Sequence, residues 1–241
     1  MTTPQGQFAT LVVEGRAFFI GDLHGERRQL SQLLNQVNFA PEMGDRVICV
    51  GDLIDRGQDS LACLDLLEMP WFYCVLGNHE AMLMDALSGD QENLNSWLRC
   101  GGKWYLDLDE PTQRAMMVKA ERLLPALPFG LEVQIPALDA RIGVVHADCP
   151  GDSWDAFREA CQYPLNRFQQ FDCLWSRDVL REMGKGEYPE PLPGIDALVM
   201  GHTPLQNLRS HGNRVWLDTG AGYPQGRLSL LNAEQILELV R

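Results

Sequence analysis

Short apolar runs, each ended by a cluster of Gly, Asp, Asn or His, recur along the chain. They are AFFI before Gly21-Asp22, RVICV before Gly51-Asp52, WFYCVL before Gly77-Asn78, IGVV before His146, ALVM before Gly201-His202 and VWL before Asp218. Runs this short and continuously apolar, bounded by turn residues, predict six buried strands. Between the first and second, Leu30, Leu33, Leu34 and Val37 fall at helical spacing, and between the second and third Leu61, Leu64 and Leu67 do the same. That order is β-α-β-α-β. The 30 residues from Asp22 to Asp52 and the 26 from Asp52 to Asn78 suit a strand, a crossover helix and a parallel strand. Right-handed crossovers then put the ends of all three strands on one edge of a common sheet.

Further helices are expected around Glu80 to Leu87 and around Gln113 to Leu124, the second with Met116, Met117, Ala120, Leu123 and Leu124 as its buried face. LPFGLEVQI and RIGVV flank PALDA and predict a hairpin, and Leu217 to Leu230 reads as two strands joined across Gly220, Gly222, Pro224 and Gly226. The Pro/Gly-rich stretch from Gly184 to Gly194 reads as a surface loop. No repeat or linker divides the chain, so residues 1–241 are expected to form one α/β domain.

Composition narrows the function. With 45% hydrophobic and 22% charged residues the chain is globular rather than disordered or fibrous. The 33 acidic and 20 basic residues give a formal charge of −13, which argues against nucleic-acid or membrane-surface partners. Seven cysteines, none at C-x-x-C spacing, are expected to be reduced and mostly buried. The first residues lack the basic and apolar regions of a signal peptide, and no apolar run reaches the roughly 18 residues of a spanning helix. A cytoplasmic protein is the expectation.

The polar clusters stand at strand C-termini, where open α/β sheets place ligands. In order they are GDLHG (Gly21 to Gly25), GDLIDRG (Gly51 to Gly57), GNHE (Gly77 to Glu80), HAD (His146 to Asp148) and GHT (Gly201 to Thr203). Any one Gly-Asp pair is an ordinary turn, and a lone His146 would be a core histidine. Five such clusters at five strand ends are hard to obtain from turn chemistry alone. Four of the five histidines fall inside them, and the fifth, His211, lies in a polar SHGN segment read as a turn. Oxygen and imidazole donors without thiolate suit manganese, iron, zinc or magnesium. Asp22, His24 and Asp52 could hold one ion and Asp52, Asn78, His146 and His202 another, with Asp52 bridging. Ions about 3.5 to 4 Å apart can share a hydroxide and clamp a phosphoryl oxygen, which is hydrolytic machinery. Two such ions would outweigh the ligand carboxylates Asp22 and Asp52, giving an acidic chain one electropositive cleft.

The series GD-x-HG, GD-xx-DRG, GNHE, H and GHT resembles the PPP-type phosphoprotein phosphatases within the calcineurin-like metallophosphoesterases, and most of all the compact bacterial and bacteriophage lambda-type serine/threonine enzymes. PWFYCVLGNHEAMLMD, Asn95 to Leu98, Gly101 to Trp104, HAD, LWSRD and LDTGA extend the likeness over about residues 18 to 230. The resemblance implies a central β-sandwich of two mixed sheets flanked by helices, with a two-metal site, manganese foremost, at one edge and the ligand set given above. It also implies His79 as the acid that protonates the leaving alkoxide, Asp55 as the group orienting it, and Arg56 and Arg177 as phosphate-binding residues. Phosphoserine or phosphothreonine proteins, with phosphotyrosine a further candidate, would be hydrolysed by direct attack of a metal-bridging hydroxide. No docking segment for a regulatory subunit is evident.

Three rival readings are weighed. A cysteine-based phosphatase needs C-x-x-x-x-x-R in a phosphate loop. Only Cys161 has an arginine, Arg167, at that distance, and Cys173 to Arg177 is too short. Symmetrical dinucleoside tetraphosphate hydrolases share the metal motifs, but tend to lack the aspartate found here as Asp55 and to carry GNHD in place of GNHE. A non-catalytic pseudophosphatase would have lost a ligand or His79. Within the resemblance, the loop GAGYPQG departs from the Tyr-Cys-Gly element of eukaryotic relatives, with Tyr223 in the place of the tyrosine. Trp97, Trp104 and Tyr105 read either as cleft or as core residues.

Overall fold

The computed structural model describes residues 7–241. Residues 1–6, on which part of the single-domain expectation and the expected lack of a signal peptide fall, lie outside the described residues. The chain runs β1 (Phe8–Val12), β2 (Ala17–Ile20), α1 (Arg27–Gln36), β3 (Arg46–Cys49), α2 (Ser60–Leu64), β4 (Phe72–Cys74), α3 (Asn78–Leu87), α4 (Gln91–Cys100), α5 (Glu110–Leu123), β5 (Gly130–Ile135) and β6 (Ala140–Val145). It continues with α6 (Trp154–Ala160), α7 (Arg167–Trp175), α8 (Asp178–Gly184), β7 (Ala197–Met200), β8 (Arg209–His211), β9 (Arg214–Trp216), β10 (Leu230–Asn232) and α9 (Ala233–Leu239).

Two mixed sheets face each other. One has the order β10-β2-β3-β4 and the other β1-β5-β6-β7-β9-β8. Successive side chains of a strand point to opposite faces, and the packing follows this. Ala17 and Phe19 of β2 and Ile48 of β3 turn inward to meet Leu131, Val133, Ile142, Val144, Val199 and Val215 of the other sheet. Ile20, Val47 and Cys49 turn outward onto Leu30, Leu64, Leu83, Met116 and Ala120 of α1 to α5. Leu198, Met200 and Trp216 cover the other outer face against Trp154, Phe157 and Leu174. The result is the α/β sandwich expected, helices on both sides of paired mixed sheets.

The parallel set β2, β3, β4 and the parallel set β6, β7, β9 send their C-terminal ends to one rim. Asp22, Asp52 and Asn78 thereby meet His146, His202 and Asp218 across the two sheets.

One expectation is corrected. Leu217 to Leu230 does not hold two joined strands, since no strand lies between β9 and β10. Residues after β9 leave the larger sheet, cross the rim through a loop tied only by an isolated bridge between Gly220 and Arg227, and enter the smaller sheet as β10, antiparallel to β2. The three glycines and Pro224 that were to join two strands instead build this crossing. The SHGN segment is a turn, as expected, and it closes a hairpin: β8 and β9 pair antiparallel around Gly212 (φ +54°) and Asn213, which is two-residue hairpin geometry. Strand β1, edge partner of β5, was not expected from the sequence.

Candidate active site

Glycine at the first position of four of the five motifs, all but HAD, lets the chain ends converge. A Cβ on Gly201 would lie 2.0 Å from Asp22 Oδ1, and one on Gly51, whose φ is +105°, would lie 2.8 Å from His146 Nδ1. The motif residues themselves are bent as well: His24, Asp52, Asp55, Arg56 and His202 all have φ between +41° and +75°. Such backbone costs about 1–3 kcal/mol per residue and persists only where surrounding structure fixes it. Here the sandwich core on one side and hydrogen bonds across the rim on the other do so, including Leu23 and His24 N–H donating to Asp52 O and His202 N–H donating to Asp22 at 3.1 Å.

The structure brings all six expected ligands together, each of them buried. Asp52 is central: Oδ2 lies 3.6 Å from His24 Nε2 and Oδ1 lies 3.4 Å from His146 Nε2. Asp22 Oδ2 is 4.0 Å from His24 Nε2. Asn78 Oδ1 lies 2.8 Å from His146 Nε2 and 2.9 Å from His202 Nδ1. Two compact donor groups, His24 with Asp52 and His79, and Asp52 with His146 and His202, share Asp52.

The donor set fits a divalent pair. His24 Nδ1 and His146 Nδ1 donate to the carbonyls of Ile54 and Val50 at 2.9 and 2.8 Å. Burial pushes His24 down to about 3 and lowers His146 too, so each neutral ring has spent its one proton and turns the bare Nε2 lone pair toward the Asp52 carboxylate. Arg56 Nη1 also contacts His24 Nε2. Lone pairs facing a carboxylate repel unless a cation lies between them. Carboxylate crowding points the same way. Burial, then Asp218 and Asp52, raise Asp22 well above the usual range. Burial chiefly pushes Asp218 to about 6 and Glu80 to about 8.

This crowding has a thermal consequence. Acids whose folded pKa is raised stabilise fully below their unfolded pKa and lose that contribution as pH rises through the folded value. Glu80 titrates in that window, and His79, also raised, adds the same sign. The metal-free chain is therefore expected to melt at a lower temperature at about pH 8.5 than at about pH 6.5, and added divalent cation should remove the drop. An unchanged or higher melting temperature at the upper pH contradicts this electrostatic description.

His79 opens α3 beside Asn78. Burial works against its charge, but Asp52 at 3.8 Å and Asp55, whose Oδ2 lies 2.6 Å from Nδ1, raise its pKa above the ordinary histidine value. Arg56 and Arg177 flank the cluster. The Arg56 guanidinium lies 4.7 Å over the Tyr223 ring, and Arg177, exposed just before α8, donates from Nε to His202 Nε2 at 3.3 Å. His211 is outside the cluster, stacked on Tyr188. The Cys161 to Arg167 spacing forms no phosphate loop. Cys161 is buried at the end of α6 with its thiol pushed up to about 12 by burial, which removes the thiolate such chemistry needs.

Sequence reasoning gave no role to several residues that shape the site. Glu80 accepts N–H bonds from Asp52, Leu53, Ile54 and Gly77 at 2.8 to 3.3 Å. As the third helical residue after Gly77 it supplies the glutamate half of a capping box, accepting the Gly77 N–H. Asp218 neighbours Asp22. Trp97 and Trp104 both donate to Asp55.

The chain belongs to the calcineurin-like phosphoesterase family, matched over residues 15–230, a family of hydrolases that use a divalent metal pair. It is 34% identical over 210 residues to Serine/threonine-protein phosphatase 2 of Escherichia coli (strain K12), covering 87% of this chain and 89% of that protein. It is 37% identical over 260 residues to the symmetrical Bis(5'-nucleosyl)-tetraphosphatase of Marinomonas sp. (strain MWYL1), covering 90% and 93%. Among solved structures, the crystal structure of "a putative diadenosine tetraphosphatase" matches with a TM-score of 0.63 at 25% identity, covering 95% of both chains. Among the described residues, no helix is long and apolar enough to cross a membrane.

Proposed function

We propose that this chain is one catalytic domain that hydrolyses phosphomonoesters of phosphoserine and phosphothreonine in proteins. The observation that carries the reading is the buried Asp55–His79 pair at 2.6 Å beside a cluster sharing Asp52. Serine and threonine alkoxides are poor leaving groups, and an imidazolium held by a carboxylate is suited to protonating them.

Asp22, His24 and Asp52 would hold one divalent ion and Asp52, Asn78, His146 and His202 the second, manganese being the first choice for oxygen and imidazole donors. When bound, such a pair supplies Lewis acidity toward phosphoryl oxygens and an activated water at neutral pH. Arg56 and Arg177 bind the remaining phosphoryl oxygens from either flank, each through the parallel N–H donors of a planar guanidinium. His79 then passes its Nε2 proton to the seryl or threonyl oxygen as the P–O bond breaks. Asp55, 2.6 Å from Nδ1, orients the ring and stabilises its charged form beforehand.

A second reading, symmetrical dinucleoside tetraphosphate hydrolysis, draws support from the Marinomonas relative and the 25% identical structure. Asp55 favours the phosphoprotein reading, because a phosphate or nucleotide leaving group is already a stable anion and has less need of a held acid. A binding-only role is disfavoured by the convergence of every expected ligand. Phosphate release from phosphoserine peptides in the presence of manganese is the expected result. Silence with every divalent cation tried would contradict the enzyme reading.

A further inference from the structure

Asp55 is fully buried in the left-handed region, φ +75°, and its carboxylate receives three side chains. His79 Nδ1 lies 2.6 Å from Oδ2, Trp104 Nε1 donates to Oδ1 at 2.8 Å, and Trp97 Nε1 donates to both oxygens at 3.1 and 3.0 Å. The tryptophans come from α4 and from the short 3-10 segment Gly102–Asp107, with their rings edge to face at 6.1 Å. Two glycines seat them. Gly102 packs so closely beneath Trp97 that a Cβ would approach its ring to 2.5 Å, and at Gly101, whose φ of +134° already disfavours a side chain, a Cβ would press on Asp55 Cβ at 3.1 Å and Arg56 Cγ at 3.2 Å. The Gly101 carbonyl also accepts from Arg56 N–H.

We propose that Trp97 and Trp104 are positioning residues for leaving-group protonation, acting through Asp55 on His79. An indole N–H is a donor without charge and without an acceptor site. Two of them fix the direction of the carboxylate while leaving its negative charge for the histidine, whereas an arginine or lysine in their place would compete for that charge. A buried indole needs some acceptor, but any backbone carbonyl would serve. Two indoles from residues 42 and 49 positions away meeting on the one carboxylate that holds the acid point to function.

This inference rests on the proposed phosphoserine hydrolysis and is tested by leaving-group dependence. Trp104→Phe keeps an aromatic ring, though a smaller one, and removes the N–H at a half-buried position. Loss of a hydrogen bond to a charged group should cut kcat on a phosphoserine peptide by about tenfold or more, with KM unchanged. On para-nitrophenyl phosphate, whose phenolate leaves without a proton, the change should stay within about threefold, since the acid's contribution is small there. Metal content should match the wild type, and Trp104→Phe should add little in an Asp55→Asn background. Trp97→Phe should act in the same direction. Equal losses on both substrates, or full additivity with Asp55→Asn, would overturn the positioning role. Wild-type inactivity on both would instead overturn the phosphatase reading, and this inference with it.

Discussion

His79→Asn is expected to lower kcat on phosphoserine peptides by about 10²- to 10⁴-fold, the usual contribution of a positioned general acid, while both ions remain bound. The two halves of this expectation come from different features. The loss in turnover follows from the bond to Asp55 and from the raised pKa, which favours the charged ring. Retention of metal follows because a ring that carries protons on both nitrogens cannot ligate, even though His79 Nε2 is only 3.8 Å from Asp52 Oδ2. Elemental analysis beside steady-state kinetics separates the roles. Loss of metal in the variant would make His79 a ligand, and the acid would have to be sought elsewhere.

Asp52→Asn should have the other large effect, on metal itself. Asp52 belongs to both donor groups and is the carboxylate toward which His24 and His146 turn their bare nitrogens. Replacing even an outer partner of a ligand costs about 10- to 100-fold in metal affinity, and a shared ligand should cost more. Burial opposes the Asp52 charge, but His146, His79 and His24 lower its pKa, so at neutral pH the wild type presents an anion and the variant does not. The asparagine carbonyl can still accept the His79 N–H that Asp52 Oδ1 accepts at 3.0 Å, so the fold should survive. The variant is expected to emerge from dialysis without bound metal and without activity. Two ions retained at wild-type affinity would show that the cluster is not organised around this residue.

Much of the site was legible because its parts lie at the ends of short apolar runs, and a parallel arrangement brings such ends to one rim. Asp22, Asp52, Asn78, His146 and His202 could be proposed as one cluster on that reasoning before any geometry was known. What stayed hidden depends on contacts without a local pattern. Trp97 and Trp104 stand on helical and 3-10 segments whose aromatic content reads equally well as core, and their acceptor is more than 40 positions away. Glu80 looked like part of a ligand motif, yet its carboxylate binds backbone N–H groups rather than facing the cluster. The segment after β9 misled because glycines that allow a hairpin also allow a chain to cross between sheets. FATLV in β1 carries too little burial to stand out as a core strand, with every residue half-buried or exposed.

The central claim is that a held acid, Asp55 with His79, suits this site to phosphomonoesters with alkoxide leaving groups. It is tested most directly by kcat/KM measured side by side for a phosphoserine peptide and diadenosine tetraphosphate, with the same enzyme and metal. The peptide is expected to be the better substrate. Far more efficient cleavage of diadenosine tetraphosphate would contradict the account and assign the site to dinucleotide hydrolysis.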